Sequence, residues 1–91
     1  MKRLLLVDDD TAFLQLLSSM LQQDFQVYEA TGVAEALKTL DTVPVHAICS
    51  DFNMRDGTGL ELLERLYHEN IKIPLIITLC EEKNDLKPYI Y

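Results

Sequence analysis

The apolar run Leu4-Leu5-Leu6-Val7 stops on three consecutive carboxylates, Asp8-Asp9-Asp10, and this junction restricts the fold more than any other stretch of the chain. Four apolar residues without polar alternation describe a strand covered on both faces, as an inner strand of a parallel sheet is. Ala47-Ile48-Cys49 is a second such run, and it too stops on an acid, at Ser50-Asp51. In open α/β sheets ligands bind outside the carboxyl ends of the strands, so both acidic stops fall where a site belongs. Asp10 has an additional reading. It precedes Thr11-Ala12-Phe13, where a carboxylate caps a helix and meets the positive end of its dipole. Capping accounts for Asp10 and leaves Asp8 and Asp9 unexplained.

The remaining segments alternate in the same way. A first strand is predicted over 3–8 and a helix from Thr11 to about Gln23, with Phe13, Leu16, Leu17, Met20 and Leu21 on one face. Phe25-Gln26-Val27-Tyr28 reads as a half-buried strand. Thr31 is expected to cap a second helix carrying Val33, Ala34, Ala36, Leu37 and Leu40, which ends before Pro44. After turn chemistry at Asp56-Gly57-Thr58-Gly59, a third helix runs from Leu60 to about His68 with Leu60, Leu63, Leu66 and Tyr67 inward. Pro74 opens a fourth strand, Leu75-Ile76-Ile77-Thr78. Strands alternating with helices specify a parallel α/β sheet with right-handed crossovers.

Ninety-one residues make one domain, divided here into an α/β unit over 1–80 and an atypical tail over 81–91. Too few residues separate Cys80 from Lys87 for a helix and a parallel strand, since a parallel crossover needs about a dozen or more. The tail therefore pairs antiparallel, reaches a second molecule or is irregular. An apolar content of 48% supports a globular core, and a net charge of −7 disfavours nucleic acid and anionic membrane as partners of this domain. No apolar run approaches membrane-spanning length. The start Met1-Lys2-Arg3 with four apolar residues is too short for a signal peptide. Cys49 and Cys80 then read as reduced core thiols of a cytoplasmic protein.

If the first and third strands are neighbours, Asp8, Asp9 and Asp51 converge. Like charges brought together repel, and a hard cation relieves that repulsion. Oxygen-only ligands suit Mg2+, and one carboxylate can act as a nucleophile towards a phosphoryl group, giving an aspartyl-phosphate. The competing reading is a set of solvated loop acids. His46 and His68 have no Cys or acid at ligand spacing and read as surface or capping residues. Gly57 and Gly59 lie in a turn and form no phosphate loop.

Leu5-Leu6-Val7-Asp8-Asp9-Asp10, Glu35-Ala36-Leu37 and Ser50-Asp51-Phe52-Asn53-Met54, followed by Gly59-Leu60-Glu61-Leu62, resemble the receiver domain of bacterial response regulators over about residues 3–78. The resemblance implies a flavodoxin-like sheet of order 2-1-3-4-5, of which this chain carries 2-1-3-4. It implies that Asp51 accepts phosphate from a histidine kinase or phosphotransfer protein. It also places Asp9, Asp51 and the main-chain carbonyl of Asn53 on Mg2+, with Asp8 reaching the ion through water.

Three departures qualify this. Arg55 stands where the family usually has proline. Thr78 falls one residue before the family's Ser/Thr at the end of the fourth strand, and a one-residue shift turns a strand side chain to the opposite face. Thr78 is therefore a candidate helper expected to pack away from the pocket unless a bulge re-aims it. The family's fourth helix, fifth strand and fifth helix are missing, and Lys87-Pro88-Tyr89 resembles the family's Lys-Pro-Phe some twenty residues early. Lys87 approaches Asp51 only if the tail turns back at Glu82–Asp85. Without the missing elements the fourth strand is expected to be an exposed apolar edge, which predicts a homodimer through that strand and the tail. Function follows as a receiver with weakened phosphoacceptance, no catalysis beyond its own phosphorylation, and atypical output. The alternative is a non-phosphorylated dimerisation or protein-interaction module. A phosphatase or phosphotransferase is disfavoured because no segment supplies a substrate-covering cap.

Overall fold

The apolar runs Leu4–Val7 and Ala47–Cys49 form the middle of two adjacent inner strands, and the sheet is organised around them. In the computed structural model, which describes residues 1–80 and 86–91, β1 (Lys2–Val7) lies between β2 (Phe25–Ala30) and β3 (Ala47–Asp51). The full order is β2-β1-β3-β6-β7, with β6 at Leu75–Cys80 and β7 at Leu86–Ile90. Strands β2, β1, β3 and β6 run parallel, in the expected order 2-1-3-4, with β6 as the fourth strand. Side chains alternate across the sheet. Leu5, Val7, Ile48, Leu75 and Ile77 pack on one face under α2 (Val33–Thr42) and α3 (Gly59–His68). Leu4 and Leu6 pack on the other, under Leu14 of α1 (Thr11–Leu21).

Local chemistry sets the helix boundaries. Asp10 caps α1 as expected, its Oδ1 accepting from the Phe13 N–H at 3.1 Å. A capping box opens α3: Thr58 Oγ1 accepts from Glu61 N–H at 3.2 Å while the Glu61 carboxylate accepts from Thr58 N–H. On α3 Leu66 is buried and Leu63 packs against the core as expected, Gly59 and Leu62 are buried beside them, and Leu60 and Tyr67 are exposed, which corrects the inward placement of those last two. Gly59 explains the correction. It sits so close to the sheet that a Cβ there would lie 3.0 Å from the Asp51 carbonyl oxygen, so the helix docks with its glycine down and Leu62 follows one turn later. Between β3 and α3 the chain makes a small ribbon, β4 (Asn53–Met54) with β5 (Gly57–Thr58), with Arg55-Asp56 at its tip.

The tail takes the antiparallel option. Strand β7 pairs with β6 from Ile76 opposite Ile90 to Cys80 opposite Leu86; the turn expected at Glu82–Asp85 lies outside the described residues. The fourth strand is therefore not an open edge, which corrects the premise of the edge-built dimer. The new edge is β7, and proline blunts it. Leu75 and Tyr91 exchange both backbone hydrogen bonds, at 2.9 and 2.7 Å. Alternation along an antiparallel ladder then makes Thr78–Pro88 a non-bonded pair and turns the Pro88 nitrogen outward. Proline there costs no ladder bond and removes a donor that an added strand would need.

The sheet face beside α1 is covered only in part. Leu16 and Met20 are 60% and 65% exposed, although their periodicity predicts burial. They lie on the same flank of α1 as Phe13 and Leu17, which line a cavity with Thr78 of β6; Ile76 of β6 and its partner Ile90 of β7 are also exposed. The apolar stripe read from sequence is wider than the surface available to bury it.

The burial of Leu62 and the exposure of Leu60 on α3 are open to mutation. Leu62→Ala, at a fully buried position, is expected to destabilise the fold by about 2–5 kcal/mol in urea unfolding, and Leu60→Ala by roughly 0.5 kcal/mol or less. Comparable losses at both positions would contradict the assignment.

Candidate functional site

The parallel register of β1 and β3 builds the acidic site. Val7 opposite Ser50 is the last pair of the β1–β3 ladder, so the residues that follow, Asp8 on one segment and Asp51 on the other, lie side by side. Asp8, Asp9 and Asp51 each offer an oxygen, and these oxygens all lie within 4.8 Å of one another. Each residue is half-buried. Neighbouring backbone holds the cluster: Asp8 N–H donates to the Ala30 carbonyl at 3.0 Å, and Asp8 Oδ1 accepts from Asp10 N–H at 2.9 Å. The buried Ser50 hydroxyl donates to the Asp51 carbonyl at 2.9 Å.

This crowding has an electrostatic cost. Burial first, and then the Asp8 charge, push the Asp51 carboxyl from its ordinary 3.8 up to about 6, against the pull of the Phe52 and Asn53 amides. Burial also raises Asp8, with the Asp10 amide opposing and the Asp9 and Asp10 charges adding. The three oxygens are hard donors around an open, half-exposed centre. That set suits a hard divalent cation that keeps part of its water shell, and it contains no nitrogen or sulfur donor of the kind zinc prefers.

Thr78 lies opposite Asp51 in the β3–β6 register. Directly paired residues share a sheet face, and Thr78, Asp51 and Asp8 line one cavity of about 220 Å3 together with Cys49, Phe13 and Leu17. The expected displacement of Thr78 to the opposite face is corrected, because β6 pairs with β3 in a register that brings Thr78 itself level with Asp51. Burial, then the Asp8 charge, push the Cys49 thiol up, so it remains a protonated packing group. Asn53 opens the ribbon two residues after Asp51. Lys87 is placed by its backbone alone, opposite Leu79 on β7.

Sequence reasoning missed two residues near the cluster. Arg55, at the ribbon tip, lines a second cavity of about 490 Å3 with Asp9, Thr31 and Glu35. Asp56, beside it, reaches the start of α2 and accepts from Val33 N–H at 2.9 Å and Ala34 N–H at 3.0 Å. Thr31 does not cap α2, which corrects the expected role; its hydroxyl donates to Glu35 instead, at 2.9 Å. The cap comes from a residue distant in sequence, which no local motif announces.

Comparison with known proteins places this geometry. The response regulator receiver domain family matches residues 4–89. The acid tolerance regulatory protein ActR of Rhizobium meliloti is 39% identical over 66 residues, 71% of this chain and 34% of that protein; the chain thus spans about a third of this curated relative. Among solved structures, the receiver domain of the Francisella response regulator 1452 superposes with a TM-score of 0.83 at 26% identity, covering 92% of this chain and 70% of that one. The response regulator TrrA of Thermotoga maritima, solved in complex with Mg2+ and a beryllium fluoride, gives 0.82 at 26% identity, covering 90% of this chain and 72% of that one. With a family match across nearly its whole length and an acidic pocket at the ends of β1 and β3, the chain belongs to the response regulator receiver domain family.

Proposed function

We propose that this receiver domain accepts a phosphoryl group on Asp51 from a histidine kinase or a phosphotransfer protein, with Mg2+ held by Asp8, Asp9, Asp51 and the main-chain carbonyl of Asn53. The observation that carries the reading is the convergence of three carboxylates at the paired ends of β1 and β3. A bound Mg2+ would supply positive charge to the oxygens of the transferred group. A carboxylate oxygen of Asp51 attacks phosphorus, and the phosphorus–nitrogen bond of the donor phosphohistidine breaks with its electron pair remaining on the imidazole. Attack requires the ionised carboxylate, and an acid raised to about 6 is largely ionised at neutral pH. The Thr78 hydroxyl is the proposed donor to a phosphoryl oxygen, supported by its place in the cavity that Asp51 lines. Lys87 is the proposed charge partner, supported by its resemblance to the family's Lys-Pro-Phe. The domain does no chemistry beyond its own phosphorylation and acts in the cytoplasm; among the described residues no helix is long and apolar enough to cross a membrane.

The exposed apolar flank of α1 and the outer strands favours a second reading, in which the receiver scaffold also self-associates. The homodimer through the fourth strand and tail is retained in altered form. It joins the side-chain faces of β6 and β7 with Phe13, Leu16 and Met20, because Pro88 obstructs strand-to-strand addition.

Incubation with acetyl phosphate and Mg2+ should increase the intact mass by one phosphoryl group, and Asp51→Asn should abolish the increase. An unmodified wild-type chain, folded and in excess donor, would defeat the phosphoacceptor reading. Light scattering at micromolar concentrations is expected to report a dimer that Leu16→Glu dissociates; a wild-type monomer would remove the second reading.

A further inference from the structure

The ribbon that carries Asn53 is too short to hold its own shape. It has two residue pairs, Asn53 with Thr58 and Met54 with Gly57, and an isolated two-stranded hairpin is at best marginal even when longer. Met54, next to the tip, is buried, while the tip itself is fastened elsewhere. There Asp56 spans the first two amides of α2 with both carboxylate oxygens, at 2.9 Å to Val33 N and 3.0 Å to Ala34 N. Those amides belong to a helix end with no side-chain cap of its own. The residue before them is Gly32, whose φ of −176° is ordinary extended backbone open to any residue. Clearance is what requires glycine here: a Cβ on Gly32 would lie 2.5 Å from Asp56 Oδ1. Two features far apart in sequence, a glycine without a conformational need and an acid without a local partner, thus explain each other.

We propose that Asp56 is a positioning residue for the cation site, clasping the ribbon tip to α2 across Gly32 so that the main-chain carbonyl of Asn53 is held over Asp8, Asp9 and Asp51. The proposal rests on the cation site described above. Asp56 touches neither the cation nor the phosphoryl group; it restricts the ribbon that supplies one of the oxygens. Because the same carboxylate closes the end of α2, a change at the acidic pocket is felt at that helix through a single side chain.

Two measurements test the clasp. Amide hydrogen exchange on the metal-free protein should show Asp56→Ala speeding exchange about tenfold at Asn53–Gly57 as well as at Val33 and Ala34, an effect of the size that loss of a cap produces. Faster exchange confined to Val33 and Ala34 would overturn the proposal. Calorimetric titration with Mg2+ should show about tenfold weaker binding in Asp56→Ala and in Gly32→Ala, the scale of losing a residue that orients a ligand. The double variant should bind no more weakly than Asp56→Ala, since the three atoms nearest the new Cβ all belong to the Asp56 carboxyl that Asp56→Ala removes. Wild-type affinity in folded Asp56→Ala, or losses that add in the double variant, would overturn it. A wild-type chain that binds no Mg2+ would refute the cation site itself, and the exchange experiment would still decide the clasp. Asp56→Asn, which keeps one acceptor oxygen, serves if the alanine variant fails to fold, with a smaller rise in exchange at the same residues.

Discussion

The functional end of the molecule depends on the pairing of β1 with β3 in parallel and in step. Val7 opposite Ser50 is the last pair of their ladder, and the next residue of each segment is an acid. The carboxylates of Asp8, Asp9 and Asp51 are forced together by backbone hydrogen bonds made several residues earlier, in the apolar interior. The core thereby sustains the repulsion. An acid whose pKa is raised on folding holds its proton more tightly in the folded chain. Its contribution to stability is therefore complete below its ordinary value of 3.8 and is lost as pH rises through about 6. At neutral pH the metal-free site works against the fold, and a cation that offsets the charge would also stabilise the protein.

The same sheet shows how a small receiver protects a strand that would otherwise be exposed. Parallel sheets need both faces and both edges managed. Strand β7 closes the edge of β6 by returning antiparallel, and Pro88 withholds a donor from the new edge. The face beside α1 is managed less completely. Ile76, Ile90, Leu16 and Met20 remain in contact with solvent.

Much of this was legible in the chain because unusual residues fell in regular places. Apolar runs without alternation identified β1 and β3, and the acids closing them located the site. Asp10 read correctly as a cap because capping is a local interaction, complete within one turn. What escaped was decided by contacts between distant segments. The exposure of Leu60 and Tyr67 on α3 turned on Gly59 lying against the Asp51 carbonyl, a contact that helical periodicity does not reveal. The cap on α2 looked local at Thr31 and proved to be Asp56, more than twenty residues later. Thr78 looked displaced because an alignment fixes spacing along one strand, whereas its neighbours depend on the register between two.

The central claim is that folding forces the acceptor carboxylate among its fellows and that a divalent cation relieves it. Carboxyl carbon resonances followed through a pH titration, assigned with Asp51→Asn, measure this most directly. Asp51 is expected to titrate near 6 without metal and to fall well below that value when Mg2+ is added. Titration at the ordinary 3.8 under both conditions would contradict it.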